Sequence, residues 1–379
     1  MPSSRSASAT GIQTHRTART RRVSLAVSTA LPLCLARCLV LSLVPWLLLA
    51  AACHRATTAP ADPRPAVAAY DAFWQEFDRT YPYFTMKQVN WEAARALRER
   101  AEGAATDSAL VWLMREAVTP LRDMHVWFKR PDGTQLNSTT PTRVANWDVN
   151  VWRNTITPIG WHQGVTNWGW ARHADVGYLT VGSWNDAQVK VADLDAALES
   201  LRDTRVLILD VRANAGGNDA LALQLAGRFT TQSRVFGAVR YRNGPGHDDF
   251  GAWLDRSLGP RGSWQYTKSV LLLIGARCAS SNETFIAAMR QLPHVTVLGD
   301  TTGGGSANPK EVPIVVGGRN TGWRYSVSRW QERLADGTLI EWNGIAPADV
   351  LFWDPARVAA GRDPVLEAAF ARSGAPLPM

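Results

Sequence analysis

The stretch Gly275-Ala-Arg-Cys-Ala-Ser280-Ser-Asn-Glu283 decides how this chain is read. Ahead of it, Val270-Leu-Leu-Leu-Ile274 is a continuous apolar run, the pattern of a strand buried on both faces. Beyond Ser280, Phe285, Ile286, Met289 and Leu292 recur at helical spacing. A central strand therefore turns into a helix, with a serine at the turn. Two readings of that serine compete. Ser-x-x-Glu before an apolar run is a capping box, in which Ser280 binds the N3 amide and Glu283 reaches back. A serine at a helix N-terminus is also surrounded by free N–H groups and the positive end of the helix dipole, which suits a nucleophile.

Outward from this junction the chain keeps an α/β rhythm. Strands are predicted at 177–181, 206–211, 234–241, 295–298, 312–316 and 323–329, and helices at 189–202, 219–229 and 364–372. Nearer the N-terminus, Phe73, Phe77 and Tyr81 at i, i+4 and i+8 predict a helix from Tyr70. A second is predicted over 91–102, and a third, capped by Asp107 or Ser108, reaches Pro120. His125 stands where this helical pattern gives way to a strand. The Asn-, Thr- and Trp-rich segment 129–175 reads as β-structure and loops, and the chain contains no repeats.

The glycines after the strand at 206–211 lack the G-x-G-x-x-G spacing of a dinucleotide site, and Thr301–Ser306 lacks the lysine of a phosphate loop. The seven histidines show no metal-ligand spacing, so neither metal nor cofactor is expected. Gly216 and Gly217 suit a different task. Glycine lets backbone approach a substrate carbonyl closely, and two amides at the C-terminal end of a strand can hold an oxyanion.

The formal charge of +8 does not describe the body of the protein. Residues 1–52 hold six arginines, no lysine and no acid, which leaves +2 for the rest and no case for nucleic acid. This leader has a basic start, an apolar run and Ala50-Ala-Ala-Cys53, the signature of a secretory signal with a lipoprotein-like cysteine. The expectation is a signal peptide over 1–52, lipidation at Cys53, a tether over 53–68, a helical subdomain over 69–128 and an α/β core over 129–379. The body would then be periplasmic or in the cell envelope, held to the membrane by a lipid anchor. Only Cys278 would remain in the body, so no internal disulfide can form there.

At this point the motifs carry a resemblance. Asp210-Val-Arg212-x-Asn214-x-Gly216-Gly217 resembles the hallmark loop of the tail-specific (C-terminal processing) serine peptidases, and Ala279-Ser280-x-x-Glu283 resembles their nucleophile motif. Glu341-x-x-Gly344-Ile-x-Pro347 resembles their closing motif. Phe73-Trp74…Phe77…Tyr81…Phe84…Lys87…Trp91 is similar to the helical block of the tricorn-core branch. The resemblance implies an α/β fold with a ClpP/crotonase-like core and a peptide or unfolded-protein substrate. It also implies Ser280 as nucleophile, His125 as base, Glu341 orienting or charge-stabilising His125, and an oxyanion hole from Gly216, Gly217 and Ser281. Asp210, Arg212, Asn214 and Glu283 would support that site.

Two departures qualify the resemblance. Gly305 stands where the serine–lysine branch has its base, with Lys310 nearby but off register. Met124 stands where the tricorn-like branch has a serine before its histidine. Only about 50 residues separate Phe128 from Val176, too few for a PDZ domain. The competing function is a non-catalytic binder of apolar or glycan ligands on the same fold, which the tryptophans of 147–184 would line.

Overall fold

The computed structural model describes residues 64–140 and 142–378. The predicted signal segment, Cys53 and most of the tether lie outside the described residues. In chain order the elements begin with α1 (Arg64–Thr80), a 3₁₀ segment (Trp91–Ala96), α2 (Leu97–Glu102) and α3 (Asp107–Val118). Next come β1 (Trp127–Lys129), β2 (Gln135–Asn137), α4 (Val149–Ile156), β3 (His162–Gln163), β4 (Trp168–His173) and β5 (Val176–Val181). They are followed by α5 (Val191–Ser200), β6 (Val206–Asp210), α6 (Asp219–Ala226), β7 (Arg234–Tyr241), β8 (Leu254–Leu258) and β9 (Ser269–Ile274). The remainder comprises α7 (Ser281–Met289), β10 (Val295–Gly299), β11 (Lys310–Val316), β12 (Arg319–Val327), β13 (Trp330–Leu334), β14 (Asp349–Val350), α8 (Pro355–Ala359) and α9 (Pro364–Arg372).

The central sheet has seven strands in the order β14-β10-β9-β6-β5-β4-β3. The five from β14 to β5 run parallel, and β4 and β3 are antiparallel additions at one edge. Every residue of β5 and β6 is buried, as expected of parallel strands covered on both faces. On one face Leu207, Leu209, Leu272 and Ile274 pack with α5, α6 and α7 through Leu194, Leu225 and Phe285. On the other, Tyr178, Ile208, Leu273 and Leu298 pack with α4 and α9 through Ile156 and Phe370. The result is a three-layer α/β core, the fold class predicted.

The helical block does not stand apart as a segment ending at 128. Tyr70, Phe73, Phe77, Trp91 and Met114 share one core with Phe128, Ile314, Trp323 and Tyr325. The last three come from β11 and β12, which join β1 and β2 in a four-stranded antiparallel sheet. A third sheet, β13-β7-β8, completes the wall beside α7.

Several local expectations are corrected. Helix α1 already runs from Arg64, so part of the stretch read as tether is helical. The cap of α3 is Thr106, whose Oγ1 accepts from Ala109 N at 3.1 Å, rather than Asp107 or Ser108. Helix α4 lies in a segment read as strands and loops. Its residues have weak helix propensity, but Asp148 accepts from Asn150 N and Val151 N, and Trp152 and Ile156 are buried. Strands β8 and β13 were not predicted. Among the described residues no helix is long and apolar enough to cross a membrane.

Candidate active site

Strand β9 delivers the chain to Ser280 at the mouth of α7. Ser280 has φ +58° and ψ −131°, a backbone region that an L-residue enters only under constraint. Its side chain makes no cap hydrogen bond, and its own N–H donates to Gly305 O at 2.8 Å. Glu283 does not reach back either. Its carboxylate accepts from Gly304 N and Gly305 N, both at 2.9 Å, and from the Thr302 hydroxyl. The capping-box reading of Ser280 and Glu283 therefore fails: Glu283 anchors the Thr302–Gly305 segment, and the Ser280 hydroxyl is left for other work. Burial pushes the Glu283 carboxyl up to about 8, against the opposing pull of these donors.

The loop after β6 closes on the serine from the opposite side. A Cβ on Gly216 (φ +112°) would stand 2.8 Å from Ser280 Cβ and 3.2 Å from Ser281 N, so only glycine permits this approach. The Gly216 N–H is already committed to Asn214 Oδ1 at 2.8 Å, which corrects the expectation that both glycine amides face an oxyanion. Gly217 N–H and Ser281 N–H have no partner among the described residues, whereas Ser281 Oγ donates to Gly217 O at 2.7 Å and ties the two together. Asn282 binds the Val211 and Asn214 carbonyls, and Trp184 Nε1 donates to its Oδ1. Gly217, Ser280 and Ser281 open on a cavity of about 410 Å³ whose far wall includes Ser306, Asn308, Trp330 and Glu332. Arg256 spans that wall, bonded to Asp219 at 2.6 Å, Glu332 at 2.5 Å and Thr284 at 3.0 Å.

Asp210 and Arg212 form the foundation of the loop. Arg212 is fully buried and binds Asp210 and Asp363 through paired contacts of 2.7–3.0 Å, with Asn146 O as a further acceptor. These paired carboxylates satisfy the planar guanidinium, which is how a buried charge is tolerated.

His125 and Glu341 are reached through the Gly303–Ser306 segment. Met124, the residue before the histidine, packs on Gly305, whose carbonyl holds Ser280, while Ser306 N donates to Glu341 Oε2 at 3.3 Å. His125 is 8% exposed, and its Nδ1 is buried without a partner. Burial holds the imidazole below its usual range and so favours the neutral, proton-accepting form, with Asp123 opposing the shift and Lys87 reinforcing it. No hydrogen bond joins His125 to Ser280 or to Glu341. The expected Glu341–His125 pairing is replaced by a hydrogen bond from Lys87 Nζ to Glu341 Oε1 at 2.5 Å. Sequence reasoning missed Lys87 and Asp123 as members of the site; a lysine inside an aromatic helical block was the available signal.

Other candidates fall away. Lys310 is paired with Glu76 on the surface at 2.8 Å. Cys278 is buried, bonds Val211 O at 3.2 Å, and has its thiol pushed up by burial, as befits packing. None of the tryptophans of 147–184 lines this cavity: Trp152, Trp168 and Trp184 are buried in the cores, and Trp147, Trp161 and Trp170 pack half-buried against them, which weakens the case for an apolar-ligand binder. No cluster of metal-ligating side chains occurs among the described residues.

Together these features gather a strained serine, a close glycine approach and two unpartnered amides on one cavity. Over residues 175–350, the span carrying the central sheet from β5 onward and Ser280, the chain is similar to Peptidase family S41. The chain is 26% identical over 206 residues to the carboxy-terminal processing protease CtpA of Bacillus subtilis (strain 168), covering 54% of this chain and 40% of that protein. It is 24% identical over 174 residues to CtpB of the same organism, covering 45% and 33%. The matches thus span less than half the length of these curated relatives. Among solved structures, a peptidase structure from Parabacteroides merdae ATCC 43184 superposes with a TM-score of 0.71 at 24% identity, covering 82% of this chain and 96% of that one. Mature CPAF gives 0.62 at 11%, covering 81% and 95%. The tricorn protease gives 0.51 at 13%, covering 82% and 36%. These likenesses establish the shared fold.

Proposed function

We propose that the chain is an exported serine peptidase that hydrolyses peptide bonds in peptides or unfolded proteins through an acyl-enzyme on Ser280. The observation that carries this reading is the strained Ser280, excluded from its helix cap and set beside two unpartnered amides on a cavity. Ser280 Oγ attacks the scissile carbonyl carbon while His125 takes its proton, and the new C–O bond places negative charge on the carbonyl oxygen. Gly217 N–H and Ser281 N–H receive that charge, with Gly216 supplying clearance. The C–N bond breaks as the proton passes from His125 to the leaving amine, and water then releases the acyl group by the same route. Glu341 acts on the charge balance around His125 through Lys87. Cleavage before Cys53 and acylation of its thiol would place the enzyme at the cell envelope on a lipid anchor.

Fluorophosphonate labelling followed by peptide mapping, together with casein hydrolysis, tests the chemistry. The wild type is expected to be labelled at Ser280, and Ser280→Ala and His125→Ala to lose both signals by orders of magnitude. Label on another residue, or a wild type inert on many unfolded substrates, overturns the reading. Intact-mass analysis of membrane-extracted protein tests the anchor, since a mature N-terminus other than Cys53 would sink it.

A further inference from the structure

A buried charge cluster lies next to His125, and it ranks the two carboxylates differently from the family resemblance. Lys87 Nζ is fully buried between Glu341 at 2.5 Å and Asp123 at 3.7 Å, with the rings of Tyr81, Tyr83 and Trp342 at 5.1–5.7 Å around it. Asp123 is completely buried, and its Oδ2 accepts from Ser328 Oγ at 2.8 Å. Its Oδ1 accepts the His125 backbone N–H at 2.8 Å and stands 4.0 Å from His125 Nδ1, the ring nitrogen without a partner. Thus the buried, orphaned nitrogen faces a buried carboxylate on its own turn. That carboxylate is held by three other groups. Glu341 touches Lys87 and Ser306 N, not the histidine.

We propose that Asp123, not Glu341, is the positioning residue that fixes the tautomer and orientation of His125, with Lys87 from the helical block holding both carboxylates. The inference rests on the Ser280–His125 reading. At 4.0 Å the Nδ1–Oδ1 contact is too long for a hydrogen bond, and a small turn of the imidazole closes it, as catalytic contacts tighten when substrate binds. Electrostatics agree with the geometry. Burial raises the Asp123 carboxyl, but Lys87, His125, the His125 N–H and the Ser328 hydroxyl outweigh it and hold it below the usual range. Glu341 is pushed up to about 8 by burial and the Asp123 charge, against Lys87. Asp123 is therefore the member of the pair that keeps its charge. The Lys87 ammonium comes from the turn after α1, and Ser326 from β12 donates to the His125 carbonyl. Behind Lys87 lie Glu341, Tyr81 and Tyr83, with Arg122 over the outer face of Trp342. The charged groups acting on the imidazole itself are Asp123 and Lys87.

The test compares Asp123→Asn, Asp123→Glu and Glu341→Gln in the full chain by casein hydrolysis and Ser280 labelling across pH, with circular dichroism as the check of folding. Asp123→Asn should lose on the order of 10²–10⁴-fold in kcat with little change in KM, as when a triad acid is amidated. Because Asp123 raises the affinity of His125 for its proton, the surviving activity should have its acid limb about one pH unit lower or more. A merely structural residue would not move that limb. Asp123→Glu should recover part of the loss, and Glu341→Gln should lose less and leave the limb in place. If Asp123→Asn does not fold, Ser328→Ala, which frees one oxygen of Asp123, decides by a kcat loss at unchanged KM. An Asp123→Asn enzyme near wild-type turnover with an unmoved limb, or a Ser328→Ala enzyme equal to wild type in that second case, overturns the inference while Ser280 labelling leaves the peptidase reading standing. A wild type that is not labelled at Ser280 removes the reading itself.

Discussion

Met124 occupies the space that a side chain on Gly305 would enter: a Cβ built there would lie 2.3 Å from Met124 Sδ and 2.7 Å from its Cγ. The two departures from the family pattern thus meet in space. Where one branch of the family puts a lysine, this chain has removed the side chain and filled the room with a thioether from the neighbouring turn. The serine–lysine dyad is displaced by packing as well as by sequence.

Installing the lysine should therefore not restore a dyad. Gly305→Lys is expected to destabilise the fold by about 1–3 kcal/mol through overpacking, without raising peptidase turnover. Shrinking Met124 to alanine in the same chain should recover part of that loss, giving a coupling of at least about 0.5 kcal/mol in a double-mutant cycle of denaturant unfolding. Strictly additive losses would show that the two side chains do not compete.

The backbone at Ser280 predicts an inverse relation between stability and activity. With φ at +58° and no cap hydrogen bond to lose, Ser280→Gly should stabilise the protein by about 1 kcal/mol or more, while abolishing labelling. A helix cap would behave in the opposite sense on losing its side chain. A glycine variant less stable than wild type would return Ser280 to the capping role.

The buried glutamates predict a pH trend. Glu283 and Glu341 are both pushed up to about 8, so the folded state keeps protons that the unfolded chain has released above about pH 5. Stability present at low pH is then lost as pH rises towards 8, at up to about 1.4 kcal/mol per pH unit for each retained proton. His125, held below its usual range, acts oppositely but only below about pH 6.5, where the unfolded histidine is protonated. Urea midpoints should therefore fall between pH 6.5 and 8, and Glu283→Gln should flatten the slope. A midpoint rising over this window would contradict the assignment.

Asp363 is predicted to matter despite its distance in sequence from every motif. It binds Arg212 through both oxygens and caps α9 through Val365 N and Leu366 N. Asp363→Ala leaves a fully buried guanidinium with one carboxylate and should cost about 3–5 kcal/mol in chemical unfolding. A loss below about 1 kcal/mol would mean that Arg212 is satisfied by Asp210 alone.

Much of the fold was legible because local pattern and burial coincide. Strand β7 and helix α9 fall at the predicted residues, and β5, β6 and β9 within one, since continuous apolar runs have no other use in a sheet covered on both faces. Helix α4 was hidden because Asn, Trp and β-branched residues argue against a helix that packing nevertheless holds. At the site, Ser280, Gly216 and Gly217 were readable from one strand–turn motif each. The Lys87–Glu341 pair was not, because 254 residues separate its members and their meaning arises from burial. Asp123 was in plain view two residues from His125, yet its role depends on a carboxylate turning back on its own chain, which no spacing rule announces.

The shared core of α1, α3 and the β11–β12 hairpin has a practical consequence for handling the protein. Cutting the chain after Phe128 would strip β1 from the edge of β12 and uncover Ile314, Trp323 and Tyr325 together. The fragment 129–379 would carry an open strand edge beside an aromatic patch, a template for self-association. The helical block near the start of the described chain thus serves as the cover for a hairpin that lies about 200 residues further on, and the two cannot be parted without exposing both.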